Sequence, residues 1–570
     1  MFSHEYFVDK ETGTPADTEL AFGLAEVIDH LLPEQAEDVG LRIEDIGDCY
    51  RIVLNTPIQP EWINENRFFA ILPGLDTKTK KTVIPHRIDY LSHQQKNAAF
   101  FTSLEQGLEE EALLQQGITP PDKDWPVWAI INQMSAVDAY NGLAEMWYAH
   151  EACFPELLQI ILQIFSARPN QLEQGVGAWD KLAKANNIKG KSLAAQLQVT
   201  NPGMGKGGNR SKANGLGIGG LNGFWLVEYL KFVGFYRAAI PRVVRGSKDR
   251  KTYVLRPKNL LWRTHNEVFP RFQSVLFAQT AIKMDVMASL LYCQIFLEQW
   301  KAGQESTRFR RIRGNPGNHV AAIEMIYYKH LGSAHATMNL SSLALPLWIE
   351  KDVETKEEAQ QFIDLLAEHF RIAQRLDEKK GDQNRLLAHY RDFLSSHTLQ
   401  PFFEFSRGYS QHIMSELAKG NRPPQFTIPN LEVLLMAHDK KLSPILANEG
   451  FRNVAEAIRR STVIPQGQKA RGRDTLYEIR YGLGSKLLRH SQYPGEFIQE
   501  LGQFMHDYNR ENAQKLETRK QQFRSNITMD DVEAVVHLID EYDASTIANL
   551  LVAFGYARDP NLGRKEEGEE

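Results

Sequence analysis

Cysteine is scarce in this chain. Only Cys49, Cys153 and Cys293 occur in 570 residues, and no two stand in a C-x-x-C spacing. That excludes a disulfide framework and a cysteine-built zinc site, and it fits a reducing compartment. Long apolar runs are also lacking. The most apolar helical stretch, 154–165, is too short for a bilayer and is interrupted by Glu156, Gln159 and Gln163, so no membrane partner is expected. The opening MFSHEYFVDKE lacks the basic and apolar pattern of a signal peptide, which makes a cytoplasmic location the expectation. Catalytic signatures are missing as well: there is no G-x-S-x-G elbow and no H-E-x-x-H. The pairs His438-Asp439 and His506-Asp507 lie in ordinary amphipathic stretches with no further ligands around them, and they read as surface or half-buried pairs. The expectation is a binding protein rather than an enzyme, with no cofactor and no metal.

What is present is charge, unevenly spread. The net charge of −5 conceals an acidic start, where residues 1–60 carry 13 Asp/Glu against 3 Lys/Arg. Residues 201–275 carry 14 Lys/Arg against 3 acids, and residues 452–490 carry 9 against 3. Two separate basic zones in an acidic chain point to defined polyanion tracks rather than general stickiness. The first zone opens on NPGMGKGGNRSKANGLGIGGLNG, which places 9 glycines between Gly203 and Gly223, with Lys206, Arg210 and Lys212 among them and no acid. Glycine permits close backbone approach, and bare N–H groups beside cations suit phosphate. A nucleotide enzyme is the competing reading. GLGIGG satisfies G-x-G-x-x-G but lacks the preceding hydrophobic strand, and in GMGKGG the lysine is followed by Gly207 where a phosphate loop needs Ser or Thr.

The fold class expected is an α+β N-terminal body followed by an all-α bundle, mainly α overall. The boundaries are 1–345 for the body, 350–557 for the bundle and 558–570 for a disordered acidic tail. In the body, 18–32 reads as an amphipathic helix, 50–54 and 67–72 as short strands, and 128–165 as helix with a break at Phe154-Pro155. Asn222 is a candidate cap for a buried helix over 224–236. Residues 241–256, PRVVRGSKDRKTYVLR, read as a hairpin with a turn at 246–249, a basic ribbon fit for a nucleic-acid groove. Its candidate contacts are Arg242, Arg245, Lys248, Arg250 and Lys251, with Tyr253 as a base-stacking residue. One long helix is expected over 272–300. Arg308, Arg310, Arg311 and Arg313 then precede a second Asn-Pro-Gly, Asn315 to Gly317. In the bundle, helices are expected over 357–380, 451–460, 475–489, 496–523, 532–542 and 545–556, with a capping box at Thr528–Asp531.

The glycine run followed by a buried helix and a basic hairpin resembles the large subunit of the type I CRISPR Cascade effector, in its I-B/Myxan-like branch. The stretches AEAIRRSTVIPQ, LYEIRYGLGSKLLR and IANLLVAFGYAR are similar to the same branch. The matches span about 200–557, and the N-terminal part agrees only in overall order. The resemblance implies a non-catalytic subunit that contacts the 5′ handle of a guide RNA, reads the protospacer-adjacent motif in double-stranded target DNA and helps form the R-loop. It implies partners in the backbone and handle-binding subunits, a small subunit, the displaced single strand, and a helicase–nuclease recruited for antiviral defence. In a CRISPR-associated transposon, transposition proteins would take that last place. Under this resemblance Asn209 is the base reader in the glycine run, while Lys206, Arg210 and Lys212 fix register on phosphate. The bundle resembles the Cascade small subunit, with Arg459, Arg460, Lys469, Arg471, Arg473 and Arg480 as its strand track. In this branch the bundle can also be made separately from an internal start, for which Met414 and Met436 are candidates.

Overall fold

The computed structural model describes residues 2–33, 40–65, 67–105, 113, 117–204, 222–304, 314–332, 334–349, 353–521 and 523–561. The chain is mainly helical with an α+β N-terminal region. It divides into two units. One comprises Met1–Thr280 with Pro316–Ala344, and the other Ala281–Asn315 with Leu345–Glu570. The second unit therefore starts earlier than the sequence suggests. The stretch expected to be one helix is two, Trp262–Val275 and Ala281–Gly303. The apolar periodicity runs through both, but the chain leaves the first unit between them, and Ala281–Gly303 packs on the bundle helices Lys356–Arg375 and Gly381–Leu394.

The first unit is built on two antiparallel sheets. One has strands β1 (Glu5–Asp9), β2 (Arg42–Asp45), β3 (Cys49–Val53) and β10 (Asn259–Leu261), in the order β1-β3-β2-β10. The other has β8 (Ala239–Val243), β9 (Arg250–Pro257), β11 (Val320–His330) and β12 (His335–Leu343), in the order β12-β11-β9-β8. Two short pairs complete it: β4 (Gly74–Asp76) beside β5 (Arg87–Asp89), and β6 (Leu193–Ala195) beside β7 (Asn222–Phe224). The strand expected at 67–72 is irregular backbone instead.

The helix Pro15–Leu31 holds this unit together. Thr14 caps it by accepting from the Ala16 N–H, Pro15 starts it, and nearly every side chain is buried. Thr18 hydrogen-bonds Tyr50 of one sheet and Glu324 of the other, each at 2.8 Å. The helix crosses Trp225–Ala238 where Gly23 and Gly234 meet. A Cβ on Gly234 would strike the Glu19 carbonyl, and one on Gly23 the Leu230 carbonyl. Only glycine lets two backbones lie so close. The second helix starts at Phe224 without a side-chain cap. Asn222 belongs to β7, because its pairing with Ala195 claims the backbone that a cap would need.

The second unit is helical throughout its described residues apart from loops. Its core is aromatic: Trp348, Tyr390, Phe393, Phe402, Phe405 and Phe426 pack around the buried His369. The capping box at Thr528–Asp531 is present with both reciprocal hydrogen bonds. The helix expected over 475–489 is confined to Leu483–His490; 474–480 are not helical. Met414 lies inside the helix Gln400–Ala418 and Met436 inside Ile428–His438. Residues 562–570 of the tail lie outside the described residues.

Candidate nucleic-acid interface

The expected hairpin is present, with β8 paired to β9 from Ala239↔Val254 to Val243↔Arg250. Gly246 takes φ +88 at the turn, which favours glycine. The Val244 N–H donates to the Asp249 carbonyl at 2.9 Å, and Ser247 Oγ accepts from the Asp249 N–H at 3.1 Å. The hairpin is not a free ribbon, however. β9 also pairs with β11, so it is an interior strand of its sheet.

That position decides the fate of the cations. Tyr253 is 0% exposed and has no face for a base, so it is not a stacking residue. Lys251 is buried, with Nζ 5.8 Å from the Tyr327 ring centre. Arg242 spends its guanidinium on the main chain, donating to the carbonyls of Leu276, Gln273 and Pro241 at 2.5, 2.6 and 2.9 Å. Burial pulls its pKa down to about 10. Arg242, Lys251 and Tyr253 are thus corrected from contact residues to structural ones. Arg250 is half-buried, and burial lowers its pKa. Arg245 and Lys248 are exposed at the turn, as the sequence suggested.

A further cation, exposed Lys329, belongs with them. Asp249 accepts from the Tyr327 hydroxyl at 2.6 Å and the His330 N–H at 2.9 Å, which bolts the β8–β9 turn to the end of β11. Burial raises the Asp249 pKa, but these donors, with Lys329 nearby, more than reverse it and leave the carboxyl below its ordinary value. His335 starts β12, its ring 5.1 Å from that of His330. Burial first, then Arg250 and His330, depress its pKa. Lys329 escaped notice because its neighbourhood depends on strand pairing across some 80 residues, as the separation of 81 between His330 and Asp249 illustrates.

The described residues on either side of the glycine-rich run meet around Glu228. Pro202 accepts from Thr337 Oγ1 at 2.7 Å, and Gln198 Nε2 donates to Thr337 Oγ1 at 3.0 Å. Asn201 donates to Glu228 at 2.8 Å and accepts from Lys231 at 2.7 Å, while Lys231 pairs with Glu228 at 2.8 Å. On the returning side Gly223 packs so closely on Glu228 that a Cβ there would lie 2.7 Å from Oε1. Asn201 is thus hydrogen-bonded to the buried Glu228 carboxylate, and Gly223 packs against the same group. Lys206, Asn209, Arg210 and Lys212 lie outside the described residues, as do Arg308, Arg310, Arg311 and Arg313.

In the helical unit the expected strand track divides. Arg459 is 4% exposed and donates to the Phe554 carbonyl at 3.0 Å, so it ties helices together. Arg460 pairs with Glu456 at 2.7 Å, and Arg480 reaches Ser461 Oγ at 3.3 Å and Glu511 at 3.4 Å. Lys469, Arg471 and Arg473 are exposed. Among the described residues no cluster of His, Cys, Asp and Glu could hold a metal, and no helix is long and apolar enough to cross a membrane. His438 is half-buried, stacked on Phe393 at 6.1 Å, and His506 is exposed, in line with the roles expected for these pairs. In comparisons with known proteins, no family model and no curated protein matches the chain.

Proposed function

We propose that this chain is the non-catalytic large subunit of an RNA-guided Cascade-type complex. In this reading the β-sheet end of the first unit and the glycine-rich run contact the guide RNA handle and the duplex bearing the protospacer-adjacent motif, and the helical unit holds a single strand during R-loop formation. Cleavage falls to a recruited helicase–nuclease. The observation that supports it is a convergence. The turn carrying Arg245 and Lys248 is fastened to β11 through Asp249, and the outgoing stem of the glycine-rich run is fastened to β12 through Thr337. Two segments of the first basic zone, about thirty residues apart in sequence, are thereby anchored to one β11–β12 hairpin. A fixed base of this kind suits backbone contact with a phosphate chain, where register depends on cations held at set positions.

Salt dependence of duplex binding tests the proposal. Replacing Arg245, Lys248 and Lys329 together by Ala, and separately Lys206, Arg210 and Lys212 by Ala, should each flatten the slope of log K against log salt by roughly 2–3 units. Unchanged slopes in both triple variants would remove this surface from the contact. Saturable micromolar binding of ATP or NAD would instead favour a nucleotide enzyme built on the glycine-rich run.

A further inference from the structure

The helical unit contains a cleft of about 690 Å³ that the basic run at 459–473 does not line. Its cations are Arg407 from the helix Gln400–Ala418, Lys486 and Arg489 from Leu483–His490, and Arg480 from the segment before that helix. Glu500 and Asp507, on the helix Pro494–Arg519, supply the acids. A hydrogen bond of 2.8 Å from Gln411 to Ser485 joins two of the walls.

The four cations are not equivalent. Lys486 is paired with Glu500 at 2.6 Å. Arg480 is paired with Glu511 at 3.4 Å, with its guanidinium 5.6 Å from the Phe504 ring centre. Asp507 is paired with Arg510 at 2.9 Å. Arg407 and Arg489 make no side-chain hydrogen bond or ion pair among the described residues, and both are exposed. The cleft thus has two cations held in place by carboxylates and two with every guanidinium donor available.

Two exposed aromatics adjoin lining residues in the sequence. Tyr481 lies between the lining residues Arg480 and Gly482 and is 55% exposed; Tyr493 directly follows the lining residue Gln492 and is 62% exposed. Large exposed aromatic faces cost hydration unless a partner covers them. Alternation of free arginines with open rings is how proteins hold unpaired nucleotides, by phosphate contact and base stacking together. The volume is that of a small-molecule site, room for on the order of two nucleotides and not for a double helix.

We infer that this cleft binds a short single-stranded nucleic-acid segment, with phosphates on Arg407 and Arg489 and bases on Tyr481 and Tyr493. This rests on the reading above for the origin of the strand, and it moves the single-strand contact away from Arg459, Arg460 and the exposed run 469–473. The full chain is titrated into a labelled oligothymidylate, with anisotropy read at several salt concentrations. Replacing Arg407 and Arg489 together by Ala should weaken binding at least tenfold and flatten the salt slope by about 1.4 units, at about 0.7 per contact on single strands. Replacing Tyr481 and Tyr493 by Leu should weaken it roughly tenfold per ring without changing the slope. Unaltered far-ultraviolet dichroism and melting would certify folding, since all four side chains are exposed. Retained affinity and slope in the arginine variant would overturn the cleft while leaving duplex binding by the first unit intact. Loss of affinity with silent tyrosines and displacement by polyglutamate would assign the cleft to an acidic peptide and overturn the inference. Wild-type chain that binds neither oligothymidylate nor duplex would sink this inference and the proposed function together.

Discussion

Both units bury charge, and they differ in how fully they pair it. The first takes charged side chains inside: Glu19, Glu228, Lys231, Arg242 and Lys251 are all buried or bound to its main chain. Glu19 is the extreme case. Neither carboxylate oxygen has a hydrogen-bond partner, and burial pushes its pKa well above the ordinary value against the pull of Lys231. The second unit also buries Glu368, Arg459, Arg524 and Asp531, but each of these has a hydrogen-bond partner, and the unit leaves Arg407, Lys469, Arg471, Arg473 and Arg489 on its surface. Counting cations therefore overstates the basic surface of both units, through Arg242 and Lys251 in the first and Arg459 in the second. A charge becomes a contact only if the fold leaves it unspent.

The packing of glycines gives the sharpest way to test how differently the units are held. Gly234 faces backbone, the carbonyl of Glu19, whereas Gly408 of the second unit faces only the Cδ2 end of Leu386 at 2.6 Å from an added Cβ. A backbone cannot step aside without moving a whole helix; a leucine terminus can rotate. Gly234→Ala should cost about 3 kcal/mol or more, because the roughly 1 kcal/mol of helix propensity gained is outweighed by overpacking. Gly408→Ala should change stability by less than about 1 kcal/mol, propensity and crowding nearly cancelling. Urea denaturation of both variants measures this. Equal effects would mean that the helix crossing is not what holds the first unit.

Spent and unspent cations can be separated within one hairpin. Arg242→Ala leaves three carbonyls without their donor and should destabilise by about 2–3 kcal/mol while the salt slope of duplex binding stays as it was. Lys248→Ala should do the reverse, with melting unchanged and the slope reduced by about 0.9 units. A slope change in the Arg242 variant at full folding would show that its guanidinium leaves the helix Trp262–Val275 for a ligand.

The contrast between these two residues marks how far the sequence can be read. Helix Pro15–Leu31 was legible from its apolar periodicity, although the reading of 18–32 passed over the Thr14-Pro15 start signal, and Thr528–Asp531 was legible because a capping box is complete within four residues. The hairpin was legible from its glycine turn. Its burial was not, because β9 becomes interior only when β11 arrives from more than sixty residues downstream, as Val320↔Pro257 shows. The break near Thr280 was hidden since apolar periodicity is the same on both sides of a unit boundary. Arg407 offered no local signal at all. It meets Arg480 and Arg489 only through the packing of Gln400–Ala418 on Leu483–His490.

Each unit also buries a histidine whose pKa burial pushes far down, and here the expected difference is smallest. The His265 Nε2–H donates to the Arg237 carbonyl at 2.6 Å, and burial depresses its pKa to about 4. His369 bonds Tyr390 through Nδ1, has no partner at Nε2, and is depressed by burial to about 3. The unfolded chain takes up a proton on each near its ordinary value of about 6.5. Below that pH the unfolded state binds more protons than the folded one, so stability falls with acidification. The loss continues to about 4 for His265 and to about 3 for His369, where the folded state protonates as well. At pH 5.5 each histidine should already have removed about 1.2 kcal/mol relative to neutral pH. His265→Gln and His369→Leu should each flatten the fall by that amount between pH 7 and 5.5, whatever they do to stability at neutral pH. Below about pH 4 the two profiles should part, since only His369 is still uncharged in the folded chain. A wild-type profile flat from pH 7 to 5.5 would mean that water or a compensating carboxylate reaches both rings.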